Sequence, residues 1–246
     1  DNFITAYTDY RFIPALRHVL SFAAITVPVG VFGALLLALI MHATRDKLNS
    51  FFRTIYFLPG AVTGSVVVLV FIFLLDPAIS PFGFLMRPFG MEVQMDVITP
   101  RSVLWVFVAM RFFSTAGGWI AIFYGALNGI SKELLEAAEI DGCNSLQLAW
   151  HVKRPLITSY VVYMLITMFT ASLQIVAEPS LIASATFGSS PVTPYWSLNQ
   201  LAANLQTLGG NFGLSATIAL IQLAITTTAA IIVITRTNFY QTDVQN

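Results

Sequence analysis

Long uncharged apolar runs, separated by polar stretches, organise the chain. Val19 to Met41 passes 23 residues without a charge, which at 1.5 Å per residue exceeds the roughly 30 Å hydrocarbon core of a bilayer. Thr54 to Leu75 is a second run, with Pro59 and Gly60 near its start, where the missing proline donor costs least, and it ends at Asp76-Pro77. A third covers Ser102 to about Ala126 and is interrupted by Arg111; a fourth covers Leu156 to Ala177 and a fifth Gly213 to Thr235. A β-barrel would instead show ten-residue alternating segments. The pattern therefore predicts an all-α polytopic membrane protein of five spans, forming one transmembrane domain over 1–246.

The stretches between the runs follow the same logic. Asp1 to Arg17 carries four charges and no apolar run, so it reads as a loop outside lipid and not as a signal peptide or a span. Asp76 to Arg101 and Glu178 to Phe212 are rich in Pro, Gly, Ser, Thr and Asn and too polar to span; within the second, a short helix lying against the membrane surface is expected around Ser197 to Thr207. No internal repeat is visible, which weighs against inverted-repeat transporter folds.

Composition sharpens this picture. Hydrophobic residues make up 57% of the chain and charged residues 10%, against about a quarter charged in soluble proteins, so the chain belongs in lipid. A net charge of zero leaves no basic surface for nucleic acid. The single cysteine, Cys143, makes no internal disulfide. His18 and His42 stand at span ends and His151 in the loop before the fourth run, none with a second ligand at metal spacing, so they read as interfacial and no metal is expected.

Charge distribution sets an orientation. With His42 to Arg53 inside, the stretch from Leu127 to Pro155 and the C-terminal tail are inside too, together holding Arg45, Lys47, Arg53, Lys132, Lys153, Arg154 and Arg236. The outside then holds only Arg11, Arg17, Arg87 and Arg101. Basic residues in short loops favour the cytoplasmic side. The C-terminus and the loop 127–155 are therefore expected in the cytoplasm, and Asp1 outside.

That loop has a pattern of its own. Ser131 is placed to cap a helix whose first turn carries Glu133, and Gly142 to end it with positive φ. Asn144 with Gln147 forms a capping box for a second short helix, which is expected to stop before Pro155. Glu136, Ala137, Ala138, Asp141, Gly142, Val152 and Pro155 stand at the spacing of Glu-Ala-Ala, two residues, Asp-Gly and a distant proline.

On these residues the chain closely resembles the permease subunits of bacterial binding-protein-dependent ABC importers, in particular the sugar-uptake group with its so-called EAA loop. The likeness continues in Phe51 to Pro59, in Asn211 to Ala216, and in Asp1-Asn2-Phe3, which resembles the loop after the family's first helix. It implies a type I importer transmembrane domain whose first of six core spans is absent from this chain. It also implies that the first short helix, the coupling helix, docks in a groove of an ATPase subunit. Glu136 would then meet basic or polar groups, Ala137 and Ala138 would allow close approach, and Gly142 the turn, with Asp141 and Pro155 completing the motif. Three positions depart from the family pattern: Cys143 for Ala, Ala149 for Phe and Arg154 for Leu. Trp150 is placed to supply the missing aromatic surface and Arg154 to reach lipid phosphates.

The same resemblance puts sugar contacts on the third and fourth spans, which singles out Arg111, Phe112, Thr115, Met168 and Ser172. Arg111 lies about 13 Å into its span by helical rise, where a charge needs a partner or water. It either lines the translocation path or pairs with an acidic residue of a partner permease. Glu178 reads as a solvated residue at the outer end of the fourth span, with contact to a binding protein as the alternative. Gly30, Gly33, Gly117 and Gly118 are expected at close helix contacts.

No Gly-Lys-Ser or Gly-Lys-Thr glycine loop occurs, so ATP and Mg are expected on a separate nucleotide-binding subunit and this chain is not expected to be an enzyme. The expected function is half of the translocation path for a carbohydrate, whether a sugar, disaccharide, sugar phosphate or polyol, in the bacterial inner membrane. The expected partners are two ATPase subunits, a second and non-identical permease, an extracytoplasmic binding protein, and membrane lipid. An ion-coupled carrier is the alternative; it would want an acidic residue mid-span, and the runs contain none. A membrane enzyme would want clustered His, Asp or Ser at the lipid boundary, which the inside loops lack.

Overall fold

The computed structural model describes residues 2–43, 55, 56, 58, 60, 64–186 and 191–237. In chain order its main helices are α1 (Asn2–Thr8), α2 (Phe12–Ala43), α3 (Gly64–Leu74), α4 (Val103–Asn128) and α5 (Lys132–Ile140). They continue with α6 (Thr158–Leu173), α7 (Ala177–Ala185), α8 (Leu198–Thr207) and α9 (Phe212–Arg236). Single-turn helices fill the segment between α3 and α4, and a mixed helical path, Ser145–Leu156, leads into α6. Among the described residues there is no strand.

Three helices, α2, α4 and α9, are long and apolar enough to cross a membrane. The fourth predicted span is broken: the path Ser145–Leu156 meets α6 at 71°. The second is represented by α3; most of its predicted first half, with Pro59 and most of the Phe51 to Pro59 motif, lies outside the described residues. Of the five predicted spans, three are thus whole helices, one is bent, and one is described mainly in its second half.

Helix α2 is the centre of the packing. Its buried positions recur at helical spacing, Val19, Phe22, Ala23, Thr26, Val27, Gly30, Val31, Ala34, Leu35, Ala38 and Met41. Water does not drive helices together in lipid, so close van der Waals approach must, and small residues permit it. Gly30, Ala34 and Ala38 supply such a stripe. A Cβ at Gly30 would run into the Met168 thioether, and one at Gly33 would lie 2.6 Å from the Phe112 ring. Gly117 is buried, but Gly118 faces open space, so its expected role in close contact is not met.

Two cores flank this helix. One joins Val19 and Phe22 to Val106, Phe107 and Met110 of α4 and to Trp196. The other joins Val31, Leu35 and Met41 to Ile120, Phe123 and Leu127 of α4 and to Met164 and Met168 of α6.

The expected N-terminal loop is corrected by a third core. Ala6, Phe12 and Ala15 are buried with Leu198, Leu201 and Leu205 of α8 and Leu214 and Ile218 of α9. Of the charges that argued for a loop, Asp9 and Arg11 sit at the joint between α1 and α2, where they pair at 2.7 Å, and Arg17 lies within α2. That bond holds the Asp9 carboxyl below its ordinary value.

The helix expected over Ser197 to Thr207 is present as α8, with Ser197 and Gln200 forming its capping box. It is packed into this core and does not lie free on a surface. Ser197 Oγ also donates to the Ile175 carbonyl at 2.6 Å, and Gln222 Nε2 donates to that of Leu173. These bonds satisfy the buried carbonyls where α6 stops, four residues short of the predicted span end.

Candidate functional site

The polar face that stands apart from the core is built on α5. Ser131 Oγ accepts from the Leu134 amide at 3.4 Å, and Glu133 lies in the first turn. At the other end the amides of Gly142 and Cys143 donate to the carbonyls of Glu139 and Ala138, at 3.0 and 3.1 Å. This double bond pattern, with Gly142 at φ 91°, is a Schellman stop. Asn144 and Gln147 exchange side-chain and amide bonds, both 2.9 Å, and start the next turn.

No residue of α5 is buried. Glu136 and Ala137 are exposed, as are Asp141 and Gly142, while Ala138 is half-buried toward its own chain. Ile140 is 86% exposed and Leu146 78%. A short helix cannot hold itself together by local bonds alone and normally does so by burying a face. This one presents three acidic residues, Glu133, Glu136 and Glu139, an alanine and bare aliphatic side chains to the outside.

The second short helix does not stop before Pro155. The path runs as α-turn Ser145–Gln147, π-helix Leu148–Lys153 and α-turn Arg154–Leu156, with Pro155 in the first turn of the last piece. A new first turn needs no donor from proline. The break falls at Ile157 instead, whose φ −105° and ψ 13° are not helical. Trp150 and Arg154, four residues apart, stack with the guanidinium 4.5 Å from the ring centre, so Arg154 has an aromatic partner in its own chain.

In this segment Leu148 and Lys153 are buried. Lys153 is only 8% exposed and its Nζ lies 3.1 Å from His42 Nδ1 at the end of α2. An ammonium has donors only, so Nδ1 accepts; the Leu127 backbone at the end of α4 acts on the same imidazole. The Tyr124 ring sits 6.3 Å from the imidazole, and the Glu139 carboxylate acts on Lys153 from α5. Sequence reasoning took His42 as merely interfacial and gave Lys153 no role. The signal was a five-residue spacing, Leu148 to Lys153, which a 3.6-residue period does not flag.

Deep in the helices, Arg111 Nη2 lies 3.0 Å from Glu178 Oε1. The partner expected from another permease is thus supplied in cis, and Glu178, read as solvated, is a partly buried first-turn residue of α7. The Arg111 carbonyl accepts from both Ser114 Oγ and Thr115 Oγ1, at 3.0 and 2.7 Å, so Thr115 serves its own helix. Phe112 packs on Gly33, while Met168 is buried against Gly30 and Ser172 is fully buried with its hydroxyl on the Met168 carbonyl. The five residues singled out for the path therefore do not line one open surface in this structure. Among the described residues no group of His, Cys, Asp and Glu is arranged to hold a metal.

Residues 26–240 match the family model described as binding-protein-dependent transport system inner membrane component. The probable ABC transporter permease YurN of Bacillus subtilis is 26% identical over 91% of this chain and 78% of its own length. The osmoprotective-compound uptake permease GgtC of Synechocystis is 26% identical over 71% of the chain, and the sn-glycerol-3-phosphate permease UgpA of Agrobacterium fabrum 27% over 67%. The matched stretches span only 64% and 56% of those two relatives. In fold, the chain superposes over its whole length, with a TM-score of 0.83 and 16% identity, on a bacterial ABC transporter involved in import of the acidic polysaccharide alginate. That chain is covered to 84%.

Proposed function

The chain belongs to the family of binding-protein-dependent transport system inner membrane components, and from that membership we propose that it forms half of the translocation path of an ATP-driven carbohydrate importer. Its α5 loop is the contact for a separate nucleotide-binding subunit. The observation that carries this reading is that α5 is fully formed and capped, yet buries none of its residues. A helix so placed fits a groove on another protein.

In this reading Glu136, Ala137, Ala138, Asp141 and Gly142 form or shape the docking face, and Pro155 starts the turn that carries the loop back into lipid. ATP and Mg are held by the partner. Closure of two ATPase subunits moves the docked loops, opening the path outward to a loaded binding protein, and hydrolysis resets it. A second permease, of different sequence, completes the path. The ends of α2 and α4 and the α5 loop lie together through His42, Leu127 and Lys153, which supports a shared cytoplasmic side. Membership in this family leaves the ion-coupled alternative without support.

For cargo, relatives that take up osmoprotective compounds and sn-glycerol-3-phosphate favour carbohydrate-like solutes. Of the residues carried over to the path, Arg111 remains the one with chemistry to offer. Because Glu178 already neutralises it, the pair favours an uncharged sugar or polyol over a phosphorylated one.

The deciding experiment replaces Glu136 and Gly142 together and measures ATP hydrolysis by the assembled complex in response to loaded binding protein. A loss of stimulation of about tenfold or more is expected; an unchanged response sinks the assignment.

A further inference from the structure

The exposed α5 is joined directly to α4 through residues 129–131, whereas its route to α2 runs through the segment behind it. Between Ser145 and Leu156, burial is confined to Leu148 and Lys153. Leu148 makes apolar contact, which lets surfaces slide. Lys153 makes a directional bond, and a buried ammonium cannot exchange that bond for water without a large loss.

The bond leads to His42 and through it to the Leu127 backbone, so one imidazole joins the α5 loop to the ends of both α2 and α4. These two helices share both main membrane cores. The π-helical turn holding Lys153 departs from regular α-geometry at this place, as such turns often do at functional positions.

We propose that His42 and Lys153 are positioning residues that transmit the displacement of the α5 loop into α2 and α4. The inference rests on the importer reading above. It requires a neutral His42, accepting at Nδ1. Protonation of His42 removes the acceptor and sets two cations against each other. The groups facing His42 are Lys153 from the loop and Tyr124 and the Leu127 backbone from α4, with Glu139 of α5 acting on Lys153. Acid should therefore disconnect the loop from the helices.

The test uses the assembled complex of permeases, ATPases and binding protein in nanodiscs. An environment-sensitive fluorophore is placed on Val29→Cys, an exposed position of α2, in a Cys143→Ala background. Addition of ATP and Mg should change its signal, and the change should decline at low pH. Lys153→Met and His42→Ala should cut the amplitude about tenfold while ATP hydrolysis persists. His42→Gln can accept and donate without titrating, so it should keep the neutral-pH amplitude and lose the low-pH decline. That signature lies outside what a purely structural role moves, and it decides the matter even if Lys153→Met fails to fold. An unchanged amplitude in Lys153→Met, or a parental pH profile in His42→Gln, overturns the transmission role and leaves the importer reading intact. A parent complex with no ATP hydrolysis and no signal overturns both.

Discussion

Arg111 of α4 and Glu178 of α7 face each other at 3.0 Å, both largely removed from solvent. Each was placed from sequence in a different setting, one mid-membrane and one at an outer loop. The start of α7 brings them together and makes the pair an internal tie.

Breaking one side of this tie should be costly. Glu178→Gln or Glu178→Ala leaves a partly buried guanidinium without a counter-charge, and a loss of about 1–3 kcal/mol is expected. Replacing both by Met should recover most of it, since matched apolar residues tolerate such sites. Thermal unfolding of the two single variants and the double variant in detergent measures the coupling.

The α2–α6 contact sets a steric limit. Gly30→Val should clash with the Met168 side chain and cost about 1–3 kcal/mol. Met168→Ala in the same chain should restore part of the loss, whereas the distant Leu205→Ala should simply add. A double-mutant cycle read by melting temperature separates the two outcomes.

Gly142 holds φ 91° with open space where a Cβ would be. The penalty of a side chain there is conformational and not steric. Gly142→Ala is expected to destabilise the loop by about 1 kcal/mol, and Gly142→Asn by less, because Asn tolerates left-handed backbone. Protease sensitivity of the loop in the intact protein should rank glycine, asparagine, alanine from least to most cleaved.

Ser197 serves two elements at once, capping α8 through the Gln200 amide at 3.1 Å and donating to the Ile175 carbonyl. Ser197→Ala should cost about 1–3 kcal/mol, more than an ordinary cap, because the buried carbonyl loses its donor as well. Ser131→Ala, an exposed cap with one 3.4 Å bond, should cost at most about 1 kcal/mol. The same unfolding assay compares them.

The Asp9–Arg11 pair gives a pH dependence with a definite sign. Arg11 lowers the Asp9 pKa in the folded state, so the unfolded chain binds more protons as pH falls through its ordinary carboxylate range. The pair's contribution is then present above that range and lost as pH drops through the lowered folded value. Near the surface it amounts to less than about 1 kcal/mol. The hydrogen-exchange protection of α1, taken relative to the intrinsic amide rate at each pH, should fall at acid pH in the parent and be flat in Asp9→Asn.

The long helices were legible because each spans a long apolar run; Ser102 to about Ala126 and Gly213 to Thr235 became α4 and α9 nearly residue for residue. The α5 loop was legible because its signals are local: Ser131, Gly142 and the Asn144–Gln147 box all act within a few residues. What sequence did not reveal depends on distance along the chain. Glu178 meets Arg111 across 67 residues and Lys153 meets His42 across 111, and neither carries a local mark. The N-terminal helix was missed because four charges outweighed Ala6, Phe12 and Ala15, whose burial depends on α8 and α9.

The bare surface of α5 also bears on how such a chain is produced. Ile140 and, just beyond it, Leu146 stand exposed when the chain is alone, so, on the reading of α5 as a docking element, a copy whose α5 is left uncovered carries an aggregation-prone projection. On that reading, covering this surface protects the chain itself as well as serving transport.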